Sequence, residues 1–169
     1  EGEALRVKRI VGDLLEFARG KKPQLREVEL TGLISTSYRR LQMSQPLNGI
    51  RFSIDADPQR VYIHADAAQM EQAFINLFMN AVEAMQGGGE LTTFIRKANG
   101  SVTVKVSDSG AGIPKDSLDK IFEPFYTTKD KGNGLGLAIV FNIIQKHNAG
   151  IMVESEEGRG TTFSIIFPD

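Results

Sequence analysis

The 169-residue chain is 41% hydrophobic and 24% charged, proportions of a compact soluble domain rather than a disordered one. Twenty Lys and Arg against 21 Asp and Glu leave a net charge of -1, which argues against a nucleic-acid footprint or a basic membrane surface. Cysteine is absent, so disulfides and thiolate metal sites are excluded, and no apolar run is long enough to cross a bilayer as a helix.

Residues 3–19 read as a helix. Ala4, Val7, Val11, Leu14 and Ala18 recur at three- and four-residue intervals as a heptad-like seam, broadened by Ile10, Leu15 and Phe17. A lone helix of that length is marginal in water, so the seam calls for a partner. Glu1 stands inside this pattern, which suggests a piece of a longer protein. Lys21, Lys22 and Pro23 break the pattern and divide an appendage, 1–22, from a domain, 23–169.

Strands and helices then alternate. Residues 25–30 suit a short strand, and Thr31 is placed to N-cap a helix running to about residue 42. Strands are expected at 50–56 and 61–64, and a long helix at 67–86 that stops at Gly87, Gly88 and Gly89. Segments 91–97 and 101–107 form a hairpin around Asn99-Gly100, a favoured two-residue turn. A loop-rich stretch, 108–134, leads into a helix at 135–147 and closing strands at 151–155 and 161–167. The fold class is α/β (α+β): a two-layer sandwich of one mixed, mainly antiparallel sheet with helices on one face, preceded by one N-terminal helix.

Three features carry chemistry. Seven of the 17 glycines fall in three tight clusters: Gly110 and Gly112; Gly132, Gly134 and Gly136; Gly158 and Gly160. Glycine permits positive φ and lets a ligand approach the backbone, although any one cluster alone is better explained as a turn. The middle cluster leads straight into a helix, whose first N–H groups suit an anion. It is neither a P-loop, since no Gly-Lys-Ser/Thr ending follows, nor a dinucleotide fingerprint, since the spacing differs. The second feature is an amide stripe, Gln72, Asn76, Asn80 and Glu83, on the otherwise apolar long helix. Asparagine is a poor interior helix residue, so these amides need partners, either a hard cation such as Mg²⁺ or loop backbone. The third is Asp108-Ser109-Gly110-Ala111-Gly112-Ile113 at a strand end. A carboxylate there can accept from an exocyclic amine, or can serve its own turn.

Taken in order, these segments resemble the conserved boxes of histidine kinase ATP-binding domains, in the superfamily shared with gyrase, Hsp90 and MutL. Residues 72–85 resemble the N box and 108–113 the G1 box. Residues 121–129, from Ile121-Phe122-Glu123-Pro124-Phe125 to Thr127-Thr128-Lys129, resemble the F box. Residues 132–137 resemble the G2 box and 158–163 the last glycine box. Residues 6–19 resemble the second helix of the family's dimerisation and phosphoacceptor hairpin.

The resemblance implies ATP and Mg²⁺ as cofactors. It implies that Asn80 supplies an amide oxygen to the metal, that Asn76 and Lys129 act catalytically beside the phosphates, and that Asp108 reads the adenine amine with Gly112 and Thr161. It places Gly110, Ile113, Phe122, Thr128, Gly132, Gly134, Leu135, Gly136 and Leu137 around the nucleotide, with Phe122 and Phe125 anchoring a lid at about 114–134. Three departures stand out: Ser109 where Asn is frequent, Asn133 where Thr is frequent, and Glu83 where Lys is frequent. The last puts a lysine–phosphate contact there in doubt. The implied partners are an acceptor helix of the same or the partner protomer, a cognate response regulator and a second copy in a full-length homodimer, with no nucleic acid. The implied location is cytoplasmic, as that portion of a sensor.

Neither His64 nor His147 sits in a phosphoacceptor context, so the acceptor histidine and its activating carboxylate are expected upstream of Glu1 and the fragment is expected not to label itself. The relatives that hydrolyse ATP as clamps carry a general-base Glu where Asn76 stands, and an amide cannot take a proton from water. An anti-sigma serine kinase is a third reading, which predicts no upstream dimerisation helix and a weaker F box. A nucleotide-sensing module without transfer activity is the remaining alternative.

Overall fold

The computed structural model describes Gly12, residues 22–128 and residues 132–168. The expected N-terminal helix and its seam lie outside these residues apart from Gly12, which is helical. Lys129 also lies outside them.

In chain order the elements are β1 (Arg26–Glu29), α1 (Leu30–Ser44), β2 (Ile50–Asp57), β3 (Tyr62–Ala65), α2 (Ala67–Ala84), β4 (Gly89–Ala98), β5 (Ser101–Asp108), a single 3-10 turn (Lys115–Ser117), α3 (Gly136–Lys146), β6 (Gly150–Glu156) and β7 (Gly160–Pro168). Five strands form one mixed sheet in the order β2-β4-β5-β7-β6, parallel only between β2 and β4. The hairpin forms at the expected place: Asn99 and Gly100 both take positive φ, 50° and 74°, as a tight antiparallel turn demands.

The sheet faces the helices on one side. Leu91, Thr93 and Ile95 of β4, Val102, Val104 and Val106 of β5, and Phe163, Ile165 and Phe167 of β7 are buried at alternate positions, as the two-residue period of a strand requires. The other side carries the exposed ion pairs Arg51–Glu90 and Arg96–Asp55. Helix α2 packs between α1 and α3. It buries Ala73 and Ala81 together with Met70, Phe74, Leu77 and Phe78, each of these four large side chains contributing roughly 1.5–3 kcal/mol. Tyr38 of α1 stacks on Phe52 of β2 at 3.9 Å between ring centres, and Phe78 meets both rings edge-on.

Two expectations are corrected. A single sheet was implied, but β1 and β3 pair only with each other, in a separate two-stranded antiparallel sheet. The short strands satisfy their backbone on one another, while Ile63 and Ala65 enter the common core. Thr31 does not cap α1. The cap is Glu29, whose carboxylate oxygens accept from the Thr31 and Gly32 amides at 2.8 and 2.7 Å, leaving the Thr31 hydroxyl to the Gln59 carbonyl.

Candidate nucleotide-binding site

The candidate site lies where the ends of β5 and β7 meet the C-terminal end of α2 and the start of α3. Its floor is a row across the sheet. The strand registers set Leu91 opposite Asp108, Asp108 opposite Thr161, and Thr161 opposite Ser155. Directly opposed residues of antiparallel strands hold their Cβ atoms about 4.5–5.5 Å apart. Both polar members at the centre are buried, Asp108 at 9% exposure and Thr161 at 5%.

Asp108 serves its own turn, since one carboxylate oxygen accepts from the Gly110 amide at 2.8 Å. That turn is docked on α2: the Ala111 amide donates to the Ala84 carbonyl, one of the helix's last, at 3.0 Å. Ser109, the departure from Asn, accepts from the Glu90 amide at 2.9 Å and pins the start of β4. The next strand end is tied in by Ser155, whose hydroxyl oxygen lies 2.8 Å from the Ile113 amide, 3.0 Å from the Gly160 carbonyl and 2.9 Å from the Thr161 hydroxyl.

The glycines divide into two kinds. At Gly160, φ is +107° and an added Cβ would sit 1.9 Å from the Asp108 carbonyl oxygen. At Gly112, φ is +73° and the Cβ would meet the Glu156 carbonyl at 2.2 Å. Gly110 is pressed to 2.8 Å from Ala84, and Gly134 to 2.4 Å from the backbone of Phe125. The close approach that glycine permits at these four positions is one of protein backbone to protein backbone. Gly136, like Gly158, is different: among the described residues no atom beyond its chain neighbours and its own helix backbone lies within 4 Å of its Cβ position, which faces open space.

The three helices begin differently. Glu29 caps α1, and Asp66 caps α2 by accepting from the Ala68 and Gln69 amides. Helix α3 has no side-chain cap. Asn133 accepts from the Leu135 amide at 3.0 Å, one residue before the helix. The exposed partial positive charge of that first turn is an anion-binding feature. Asn76, half-buried on α2, donates from its side-chain nitrogen to the Gly136 carbonyl at 3.4 Å and so joins the amide stripe to this helix start. Gln72 and Asn80 are half-buried on the same stripe, and Glu83 is exposed at its end.

The segment between the two ends is tacked down by rings and backbone. Phe122 lies 5.5 Å from Phe141 of α3 and 6.2 Å from Phe163 of β7, ring centre to ring centre. Phe125, the other expected lid anchor, is 64% exposed. Its backbone makes the contact instead, the Phe125 amide donating to the Gly134 carbonyl at 2.9 Å with φ at +67°. Tyr126, which the sequence did not single out, donates its hydroxyl to Ser117 at 2.8 Å. Ile113, Thr128, Gly132, Leu135 and Leu137 line the same stretch of chain, from the turn after β5 to the start of α3.

Both histidines lie away from this site. His64 is exposed on β3. His147 follows the last turn of α3 and ties it to the start of α2. Nδ1 lies 2.8 Å from the Ile143 carbonyl, which can only accept, and Nε2 lies 3.0 Å from the Asp66 amide, which can only donate. Burial pushes the Asp66 carboxyl up. The amides of Gln24, Gln69 and Ala68 and the electrostatic influence of the nearby His147 ring outweigh this and hold it below its ordinary value.

A layer of helices thus covers one face of a mixed sheet, with the start of α3 and the buried Asp108 carboxyl as the two parts of the candidate site. The chain belongs to the family described as histidine kinase-, DNA gyrase B- and HSP90-like ATPases, whose profile matches residues 65–169. Sporulation kinase A of Bacillus subtilis (strain 168) is 41% identical over 167 residues, covering 98% of this chain and 28% of that protein. The catalytic domain of histidine kinase ThkA superposes with a TM-score of 0.77 at 34% identity, covering 86% of this chain and 95% of that one. Full-length ShkA, in a complex with AMPPNP, superposes with a TM-score of 0.86 at 28% identity, covering 99% of this chain and 36% of that one. The chain therefore spans less than a third of sporulation kinase A. Among the described residues no helix is long and apolar enough to cross a membrane.

Proposed function

We propose that the chain binds Mg-ATP and donates the γ-phosphate to a histidine on a separate dimerisation segment, in two-component signal transduction. The observation that carries this reading is the uncapped start of α3. Gly136 faces open space there, while Asn76 of the N-box helix holds its carbonyl. Phosphoryl transfer depends on positioning and charge neutralisation, so the acceptor can belong to another segment.

In this reading Asp108, Gly110, Gly112, Ile113 and Thr161 hold the base. Gly132, Gly134, Leu135, Gly136 and Leu137 line the phosphates. Phe122 and Thr128 belong to the segment that folds over them, and Asn76 and Lys129 act on the transferred group. No cluster of three acidic or histidine side chains that could hold a metal occurs among the described residues. That fits a Mg²⁺ ion held mainly by phosphate oxygens and water, with the Asn80 amide as one protein ligand. When bound, the ion would neutralise phosphate charge. Residues 1–22 are the end of a dimerisation helix and 23–169 the catalytic domain, acting in a cytoplasmic homodimer with a response regulator downstream. An ATP-hydrolysing clamp is disfavoured because Asn76 cannot act as a general base.

Calorimetry with ATP and ADP tests the binding. Asn80→Ala should lose more affinity with Mg²⁺ present than without it, and an equal loss would make Asn80 a structural amide. Mixing the chain with Mg-ATP and a polypeptide carrying the upstream hairpin should yield acid-labile phosphohistidine on that polypeptide and none on His64 or His147. Transfer should be slow, because the tether that raises effective concentration is missing. Label on either of the chain's own histidines would overturn the assignment.

A further inference from the structure

From the row across the sheet we infer that Ser155, which lines the same cavity as Asp108 and Thr161, is a positioning residue for base selectivity: it fixes the direction in which the Thr161 hydroxyl points its proton. This rests on the proposed adenine site. The Ser155 hydroxyl has one proton and two lone pairs, and three neighbours within 3.0 Å. The Ile113 amide can only donate and the Gly160 carbonyl can only accept. Ser155 therefore accepts from Ile113 and donates to Gly160, and its remaining lone pair takes the proton of Thr161. This assignment alone satisfies all three contacts.

The consequence falls on the opposed pair Asp108 and Thr161. Thr161 spends its only proton on Ser155, so toward the pocket it offers lone pairs alone. The Asp108 carboxyl, one oxygen of which accepts from the Gly110 amide, is the acceptor beside it. Two buried acceptors side by side favour a base edge that donates, such as the exocyclic amine of adenine. They disfavour the carbonyl that guanine and hypoxanthine carry at the same ring position. A site built with fixed hydrogen-bond polarity rejects the wrong partner because its buried groups are left unpaired. Without Ser155 the Thr161 hydroxyl is free to turn its proton toward a carbonyl.

The test is a titration of the whole chain with Mg-ATP and Mg-ITP. Ser155→Ala should narrow the ATP-over-ITP preference roughly three- to ten-fold, and Ser155→Thr, which keeps the hydroxyl, should restore it. Thr161→Val should narrow the preference on its own, and adding Ser155→Ala to it should narrow it no further. A Ser155→Ala variant that binds both nucleotides more weakly by one factor, or that leaves the preference unchanged, overturns the inference. If Ser155→Ala does not fold, the Thr161→Val and Thr161→Ser pair decides: equal preferences in those two variants also overturn it. If the wild-type chain binds ATP and prefers it while Ser155→Ala keeps that preference, the relay alone falls. If the wild-type chain binds neither nucleotide, the adenine-site reading falls with it.

Discussion

The two ends of the candidate pocket are built on opposite plans. At the base end every close approach is closed by protein: Gly160 against Asp108, Gly112 against Glu156, Gly110 against Ala84, with Ser155 making three hydrogen bonds at once. At the phosphate end α3 starts without a cap, and Gly136 looks onto open space. The difference teaches how glycine is used. In the first region it lets strands and turns touch, so the pocket has its shape before any nucleotide arrives. In the second it leaves room. A base with a fixed edge suits a preformed wall, whereas a flexible polyphosphate suits the start of a helix.

Substitutions can break this contrast. Gly160→Ala should have the largest effect, because a Cβ would sit 1.9 Å from a backbone oxygen at a φ of +107°. A loss of roughly 3 kcal/mol of stability is expected, read as a large drop in melting temperature; an unchanged melting temperature would show that the wall at this end yields. Next comes Asp108→Ala, which should weaken ATP about ten- to a hundred-fold and erase its preference over GTP, as loss of a charge-assisted hydrogen bond of roughly 1.5–3 kcal/mol requires. A mutant with undiminished ATP preference would remove Asp108 from base reading.

Smaller still is Asp66→Ala, the loss of a committed cap, which should cost about 1 kcal/mol at neutral pH. The sign with pH follows from the lowered Asp66 pKa. The carboxylate's contribution is present above its unfolded value of about 3.9 and is lost as pH falls through the lower folded value. Denaturation curves of wild type and variant should therefore converge in acid below about pH 3.9; a constant gap would contradict this. The smallest effect on the fold belongs to Gly136→Ala. With nothing within 4 Å of the new methyl, helix propensity should make it neutral or up to about 1 kcal/mol more stable. It should still weaken nucleotide by occupying the open side, and unchanged affinity would mean that the phosphates lie elsewhere.

Much of this was legible in the sequence. Period-two and period-3.6 patterns gave the alternation of strands and helices, and Asn99-Gly100 gave the hairpin, because these signals are local. The pairing of β1 with β3 was not, since nothing in two four-residue strands names a partner. Thr31 looked like a cap because its residue type suits one, yet Glu29 reaches two amides from two positions earlier. The amide stripe left metal and backbone open as partners, and Asn76 makes one backbone contact. Ser155 was invisible because its importance depends on the register of β6 on β7, which brings a serine, a threonine and an aspartate into one line.

The Asp66 carboxylate also accepts from the amide of Gln24, directly after Pro23, at 2.9 Å. One oxygen thus starts α2 while the other holds the end of the incoming chain. Ten residues further along that rod stands Asn76, about 15 Å away at 1.5 Å per residue. The bond that meets the incoming chain and the amide that meets the start of α3 thus sit on one helix. The bond sits at the edge of the β1–β3 ladder, where Arg26 pairs with Ala65, so strand pairing and helix cap fasten the same stretch of chain together.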